Sequence, residues 1–151
     1  RLTFFVRGSF LFCRLPSKRI ISYPDPMILF GNDSRIDNPA QNDDWRAKKL
    51  TLTYMKVNTQ SQYVRTTTYG GKLTENVVQA IARDIMAESF RKVYASKDLT
   101  PLFTVHDEII AEVDSHIAHE SLLESIMNES PKWCEDLPLL AKGKVAYRYG
   151  K

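Results

Sequence analysis

Val105-His106-Asp107-Glu108-Ile109 sets three ionisable residues in a row between two apolar runs, Leu102–Val105 and Ile109–Val113. Two short apolar runs joined by so few polar residues predict a tight β-hairpin with acids at its tip. Apolar flanks hold such a tip rigid, so a carboxylate on it has little freedom to relax. A carboxylate presented that way suits a hard divalent cation such as Mg²⁺, which takes oxygen ligands and keeps several waters. Asp is also a common turn residue, and an ordinary polar turn satisfies the same pattern.

Other residues able to do chemistry are sparser. His116 and His119 could share a helix face and a metal, but no third ligand is evident, and a solvated helix start accounts for both. Asp43-Asp44 before Trp45 has no apolar frame and reads as solvated. Glu112 and Asp114 would complete a nuclease-like acid cluster only if they reached the tip. At about 3.3 Å per strand residue they lie too far along the chain. Phe4, Phe5, Phe10 and Phe12 could stack bases, although their alternation along strands points to the core. Cys13 and Cys134 are far apart, in no metal-binding spacing and without a sign of activation. They imply a reducing compartment, the cytoplasm, and structural roles.

The elements that must position these residues follow from pattern. Residues 10–15 and 20–23 flank Pro16-Ser17-Lys18-Arg19, which predicts a hairpin. Residues 24–46, rich in Pro, Asn and Asp, read as loop, and 50–57 as a half-buried strand followed by a polar stretch to Thr68. Leu73, Val77, Ile81, Ile85 and Ser89/Phe90 recur at helical spacing, widened by Val78, Met86 and Val93, giving a helix over about 73–94 with Thr74 as its N-cap. Asp114 or Ser115 would cap a second helix through Met127, stopped by Pro131, and residues 139–149 would form a last strand or strand pair. The expected class is α+β, with antiparallel β-hairpins packed with two or more helices.

The 151 residues are 43% hydrophobic and 26% charged, a globular composition that excludes a disordered tail, a collagen repeat or a coiled coil. No apolar run approaches the ~18 residues of a membrane span, and Phe4–Val6 is too short for a secretory signal. The net charge of +3 hides an asymmetry. Residues 1–72 hold 12 Lys+Arg against 5 Asp+Glu, and residues 73–151 hold 9 against 13. A basic half and an acidic half suit a protein that holds a polyanion on one part and cations on another; unrelated solvated faces would give the same split.

One pairing is specific. Gly70-Gly71-Lys72-Leu73-Thr74-Glu75-Asn76-Val77-Val78-Gln79-Ala80-Ile81-Ala82-Arg83-Asp84, followed about 20 residues later by Thr104-Val105-His106-Asp107-Glu108, resembles the palm domain of family A (polymerase I type) DNA polymerases, phage-type branch. Leu15-Pro16-Ser17-Lys18-Arg19 with Tyr23 looks like that branch's hairpin, whose usual Gly is Lys18 in this chain. Trp133, Leu137-Pro138-Leu139 and Tyr149-Gly150-Lys151 look like its ending, so the resemblance covers nearly all of residues 1–151.

The resemblance implies a partial polymerase palm, the C-terminal part of a DNA-directed DNA polymerase. Asp107 matches the aspartate that helps hold two Mg²⁺ ions for in-line nucleotidyl transfer to a primer. Glu108 matches the acid supporting that site, His106 the residue at the primer terminus, and Gln79 a contact to the minor-groove side of primer–template DNA. Acceptors recur there for every base pair, so the contact is neutral to sequence. Lys72, Arg83 and Arg65 are assigned to phosphates on charge.

Two motifs of that family are missing. No Asp-Tyr-Ser type motif supplies the second metal aspartate. Tyr69-Gly70 imitates the end of the nucleotide-binding helix, but Gln62 and Asn58 stand where its Lys and Arg should precede. With a start at Arg1 rather than Met, the expectation is a polymerase segment that needs its N-terminal portion to act on deoxynucleoside triphosphates. The alternative is a non-catalytic DNA-binding remnant.

Overall fold

A computed structural model describes residues 1–32 and 48–150, so Asp43, Asp44 and Trp45 lie outside the described residues. The chain folds as two compact units, Arg1–Val78 and Gln79–Lys151. The class is α+β, with antiparallel sheets of three, three and two strands and two α-helices among the described residues.

In the first unit β1 (Thr3–Arg7), β2 (Phe10–Arg14) and β3 (Ile20–Pro24) form one antiparallel meander. The predicted hairpin over 10–23 is present, and its turn explains the sequence. Lys18 N donates to Leu15 O at 2.9 Å and Leu15 N to Arg19 O at 2.9 Å. Pro16, with its fixed φ, starts the turn, and Lys18 closes it at φ 71°, in the left-handed region. A Cβ in that region costs about 1–2 kcal/mol, which is why glycine is the natural occupant. Lys18→Gly should therefore raise stability by about 0.5–1 kcal/mol, after allowing for the looser unfolded chain. Urea midpoints of the two proteins measure it; an unchanged or lower midpoint contradicts the turn assignment.

The second sheet corrects the expected loop. β4 (Met27–Asn32) pairs with β5 (Lys48–Val57), and the polar stretch before Thr68 contains a further strand, β6 (Tyr63–Thr68). The pairing partner supplied what local pattern lacked: Met27–Asn32 is edge backbone satisfied by the long β5. Asn58 ties the β5–β6 turn, its side-chain oxygen accepting from Gln60 N and Gln62 N at 2.9 Å each. The core of this unit is Cys13, Leu15, Tyr23 and Val77, with Tyr23 edge-on to Tyr54 across the two sheets at 5.1 Å between ring centroids. The phenylalanines divide: Phe4 and Phe10 are exposed and Phe5 and Phe12 half-buried, so the expected core role fails for the first pair.

Helix α1 (Gly70–Ala95) begins four residues before Thr74, whose hydroxyl donates to Gly70 O at 2.9 Å inside the helix instead of capping it. Val77, Ser89 and Val93 are buried as the stripe predicts, whereas Val78 is exposed. In the second unit β7 (Thr100–Val105) and β8 (Glu108–Glu112) form the predicted hairpin, with a register irregularity at Leu102. Its core, Val93, Leu99 and Ile109, is covered by Met86 and Phe90 of α1 and by Leu122, Leu123, Ile126 and Met127 of α2 (Glu120–Met127).

Helix α2 starts later than expected. Asp114 spends its carboxylate on His116 N at 3.0 Å in a separate turn, and His119 is the N-cap, its Nδ1 accepting from Ser121 N at 3.2 Å. Residues 139–149 form no strand. They run beside α2 and its C-cap, with Ala141 N donating to Asn128 Oδ1 at 2.5 Å and Gly143 N to Glu124 Oε1 at 2.6 Å. Gly143 is needed there, because a Cβ would stand 2.8 Å from the Glu120 carbonyl oxygen. The side chains of Glu124 on α2 and of Asn128 at its C-cap, in place of a strand partner, satisfy the Ala141 and Gly143 N–H groups. No helix among the described residues is long and apolar enough to cross a membrane.

Candidate functional site

Val105 and Glu108 close the β7–β8 ladder, so the loop is only His106-Asp107. A two-residue loop matching the strand twist needs a positive φ, and His106 supplies it at 51°. For a residue with a Cβ that conformation is strained, and only flanking strands anchored below can impose it. Ile109, 6% exposed, is that anchor. The result is a fixed turn on which His106, Asp107 and Glu108 are all exposed.

The two acids are not equivalent. The phenol of Tyr149 donates to Glu108 Oε2 at 3.1 Å, and its ring meets Phe103 edge-on at 5.9 Å. The Glu108 carboxylate is thereby tied to the C-terminal segment. Asp107 and Glu108 both line an open groove of about 1540 Å³, whose other lining residues include Lys142, Lys144 and Arg148 of the same segment. The groove thus has an acidic tip and a basic wall. Sequence reasoning missed the wall and the Tyr149 contact. Nothing in the spacing of Tyr149-Gly150 ties it to a turn about 40 residues earlier.

The hydrogen bond to Glu108, then desolvation, then the carboxylate's charge hold the Tyr149 phenol pKa above its ordinary value. A pKa raised by folding gives stability that is fully present below the unfolded value and lost as pH rises through the folded one, here above pH ~10. Glu108→Gln should bring the Tyr149 phenol back toward its ordinary range. Difference titration of phenolate absorbance against Tyr149→Phe measures this, and identical curves with and without Glu108 would dismiss the contact.

Helical spacing puts Lys72, Gln79 and Arg83 within about 20° of one line along α1, and all three are exposed. Lys72 pairs with Glu75 at 2.8 Å, a bond that raises its ammonium pKa. The pair is exposed on both sides, and such pairs are weak enough for a phosphate to displace. Arg65, on β6, serves as a brace. Its guanidinium pairs with the Asp25 carboxylate and donates to Asp25 O at 3.0 Å and Thr53 Oγ1 at 3.1 Å. His119 is occupied as a helix cap, which gives the His116/His119 pair a structural account. Cys13 and Cys134 are free thiols whose pKa values burial pushes up, which makes them poor nucleophiles.

The chemistry of Asp107 is that of one hard oxygen donor. Among the described residues no three His, Cys, Asp or Glu side chains gather as a metal site. The described residues do not fit a magnesium site by themselves; Asp107 offers one exposed carboxylate.

No known family profile matches the chain, and no solved structure matches it. Over 150 residues the chain is 35% identical to the DNA polymerase of Bacillus phage SP02, an alignment covering 99% of this chain and 21% of that protein. It is related to a segment of a phage DNA polymerase. Because the chain spans about a fifth of that relative, the pairing concerns one part of a much longer protein.

Proposed function

We propose that this chain is the C-terminal palm segment of a DNA-directed DNA polymerase of the polymerase I type, working in the cytoplasm of a bacterial host. The observation that supports this most is the coincidence of similarity along 99% of this chain to a fifth of a phage DNA polymerase with a strained, anchored turn that holds Asp107 free of the Tyr149 tie. Asp107 contributes a carboxylate to the reacting end of the primer, and Mg²⁺, when bound, supplies charge neutralisation for phosphoryl transfer. The other ligands of a two-metal site, and the residues that grip the incoming deoxynucleoside triphosphate, come from the N-terminal portion. Glu108, tied to Tyr149, supports the tip, and His106 meets the primer terminus. Gln79 contacts the primer–template minor groove, with Arg83 and Lys72 on the same helix face serving phosphates. Arg65 reaches a phosphate only by releasing Asp25.

The test is transplantation: this chain replaces the matching fifth of the SP02 polymerase, and primer extension with Mg²⁺ is assayed. Extension that depends on Asp107 supports the reading.

The alternative is a DNA-binding segment without chemistry, which the sequence supports by carrying neither the Asp-Tyr-Ser type motif nor the Lys and Arg of the nucleotide-binding helix. Equal affinity for a primer–template junction and a blunt duplex, with the same steep salt dependence, would support that alternative instead.

A further inference from the structure

The β1–β2–β3 sheet has two faces of opposite character. The register sets Phe4, Val6, Leu11, Cys13, Ile21 and Tyr23 on one side, where Cys13 and Tyr23 are buried. On the other side three cross-strand rows follow one another: Thr3, Arg14 and Ile20; then Phe5, Phe12 and Ser22; then Arg7, Phe10 and Pro24. Phe5 and Phe12 thus occupy the middle row of this face, Phe10 adjoins them in an end row, and each end row holds an arginine.

Their geometry is that of a stacking platform. Phe10 and Phe12 are nearly parallel at 5.6 Å and 17°, and Phe5 and Phe12 lie 5.3 Å apart with a tilt of 32°. The Arg14 guanidinium sits over the Phe5 ring, 5.4 Å from its centroid. Phe5, Arg7, Phe12, Arg14 and Ile20 line an open hollow of about 470 Å³, and Phe10 beside it is 37% exposed. Residues 1–24 contain five Lys or Arg and no Asp or Glu.

We propose that this face binds single-stranded DNA, its bases stacking on Phe5, Phe10 and Phe12 and its phosphates meeting Arg7 and Arg14. Charge complementarity selects the occupant: a strand without acids, edged by two arginines, suits a polyanion. The aromatic row selects the form of it, because duplex bases are already stacked on each other and present no free π-face. Every base has such a face, so the site is tolerant of sequence. The proposal stands on the sheet alone, and its assay involves no nucleotide addition, so it can fail while the polymerase reading survives, or the reverse.

The experiment is fluorescence anisotropy of a labelled dT oligomer with the 151-residue chain at several salt concentrations, with a blunt duplex of equal length as comparison. The wild type should prefer the single strand. Phe12→Leu, which keeps an apolar side chain and removes the ring, should weaken binding by roughly tenfold to a hundredfold. Arg7→Gln and Arg14→Gln should each reduce the logarithmic salt slope by about 0.7. Circular dichroism establishes that each variant is folded, and Phe10→Leu, at an exposed position, serves if Phe12→Leu is not. Wild-type affinity in the folded phenylalanine variant would show attraction by charge alone and overturn the proposal. So would equal binding of the duplex, or no binding of the oligomer by the folded chain.

Discussion

Ile109→Ala should destabilise the second unit by about 2–5 kcal/mol. Ile109 is 6% exposed and packs with Val93 and Leu99 beneath the hairpin, so truncation leaves a cavity that neighbouring side chains only partly refill. For a unit of this size the thermal midpoint falls by roughly 10 °C or more. Ile110→Ala, on the half-buried side of the same strand, should cost less. The consequence reaches the site, because Asp107 stands two residues from this anchor and its turn contains a positive φ at His106. Without the anchor the strained turn relaxes and the carboxylate loses its fixed position. Equal melting losses for the two alanine variants would contradict the placement of the core under the tip.

Asp107→Asn should lower the primer-extension rate of the transplanted polymerase by about 10²–10³. That is the scale on which removing one preorganised charge or donor at a reacting centre acts. Asparagine keeps the shape and the turn preference of aspartate, and Asp107 is exposed, so the melting temperature should barely move. Glu108→Gln should cost less activity, since its carboxylate is already engaged by Tyr149. Single-turnover extension with matched thermal melts separates the effects. A Glu108 variant as damaged as the Asp107 variant would mean that the two acids act as one unit.

The hairpins and helices that follow from pattern are those whose information is local. Leu15–Arg19 contains its own turn chemistry, and Val77, Ser89 and Val93 of the α1 stripe bury as their spacing requires, while Val78 does not. The acid-tipped hairpin was legible because two apolar runs allow only a short loop between them. What was hidden depends on distant partners. Met27–Asn32 becomes a strand because β5 offers it a ladder, and Tyr63–Thr68 because β5 has a second edge. Asp114 looked like a helix cap, yet its carboxylate closes a local turn, and an unassuming His119 takes the cap.

The site divides in the same way. His106, Asp107 and Glu108 were visible as types in a row. The difference between the two acids was not, because it rests on Tyr149, about 40 residues away. Arg65 looked like a phosphate ligand on charge alone, and only the fold shows its guanidinium bracing Asp25 and Thr53. The Phe5/Phe10/Phe12 cluster depends on strand register, since sequence alternation alone cannot say which face of a sheet is covered.

The most direct test of the central claim is the rate of single-nucleotide addition by the SP02 polymerase carrying this chain in place of its own matching fifth. The account predicts templated, Mg²⁺-dependent extension within about one order of magnitude of the parent enzyme, lowered by about 10²–10³ in Asp107→Asn. A folded chimera that binds primer–template DNA but adds no nucleotide, or one indifferent to the Asp107 substitution, would contradict it.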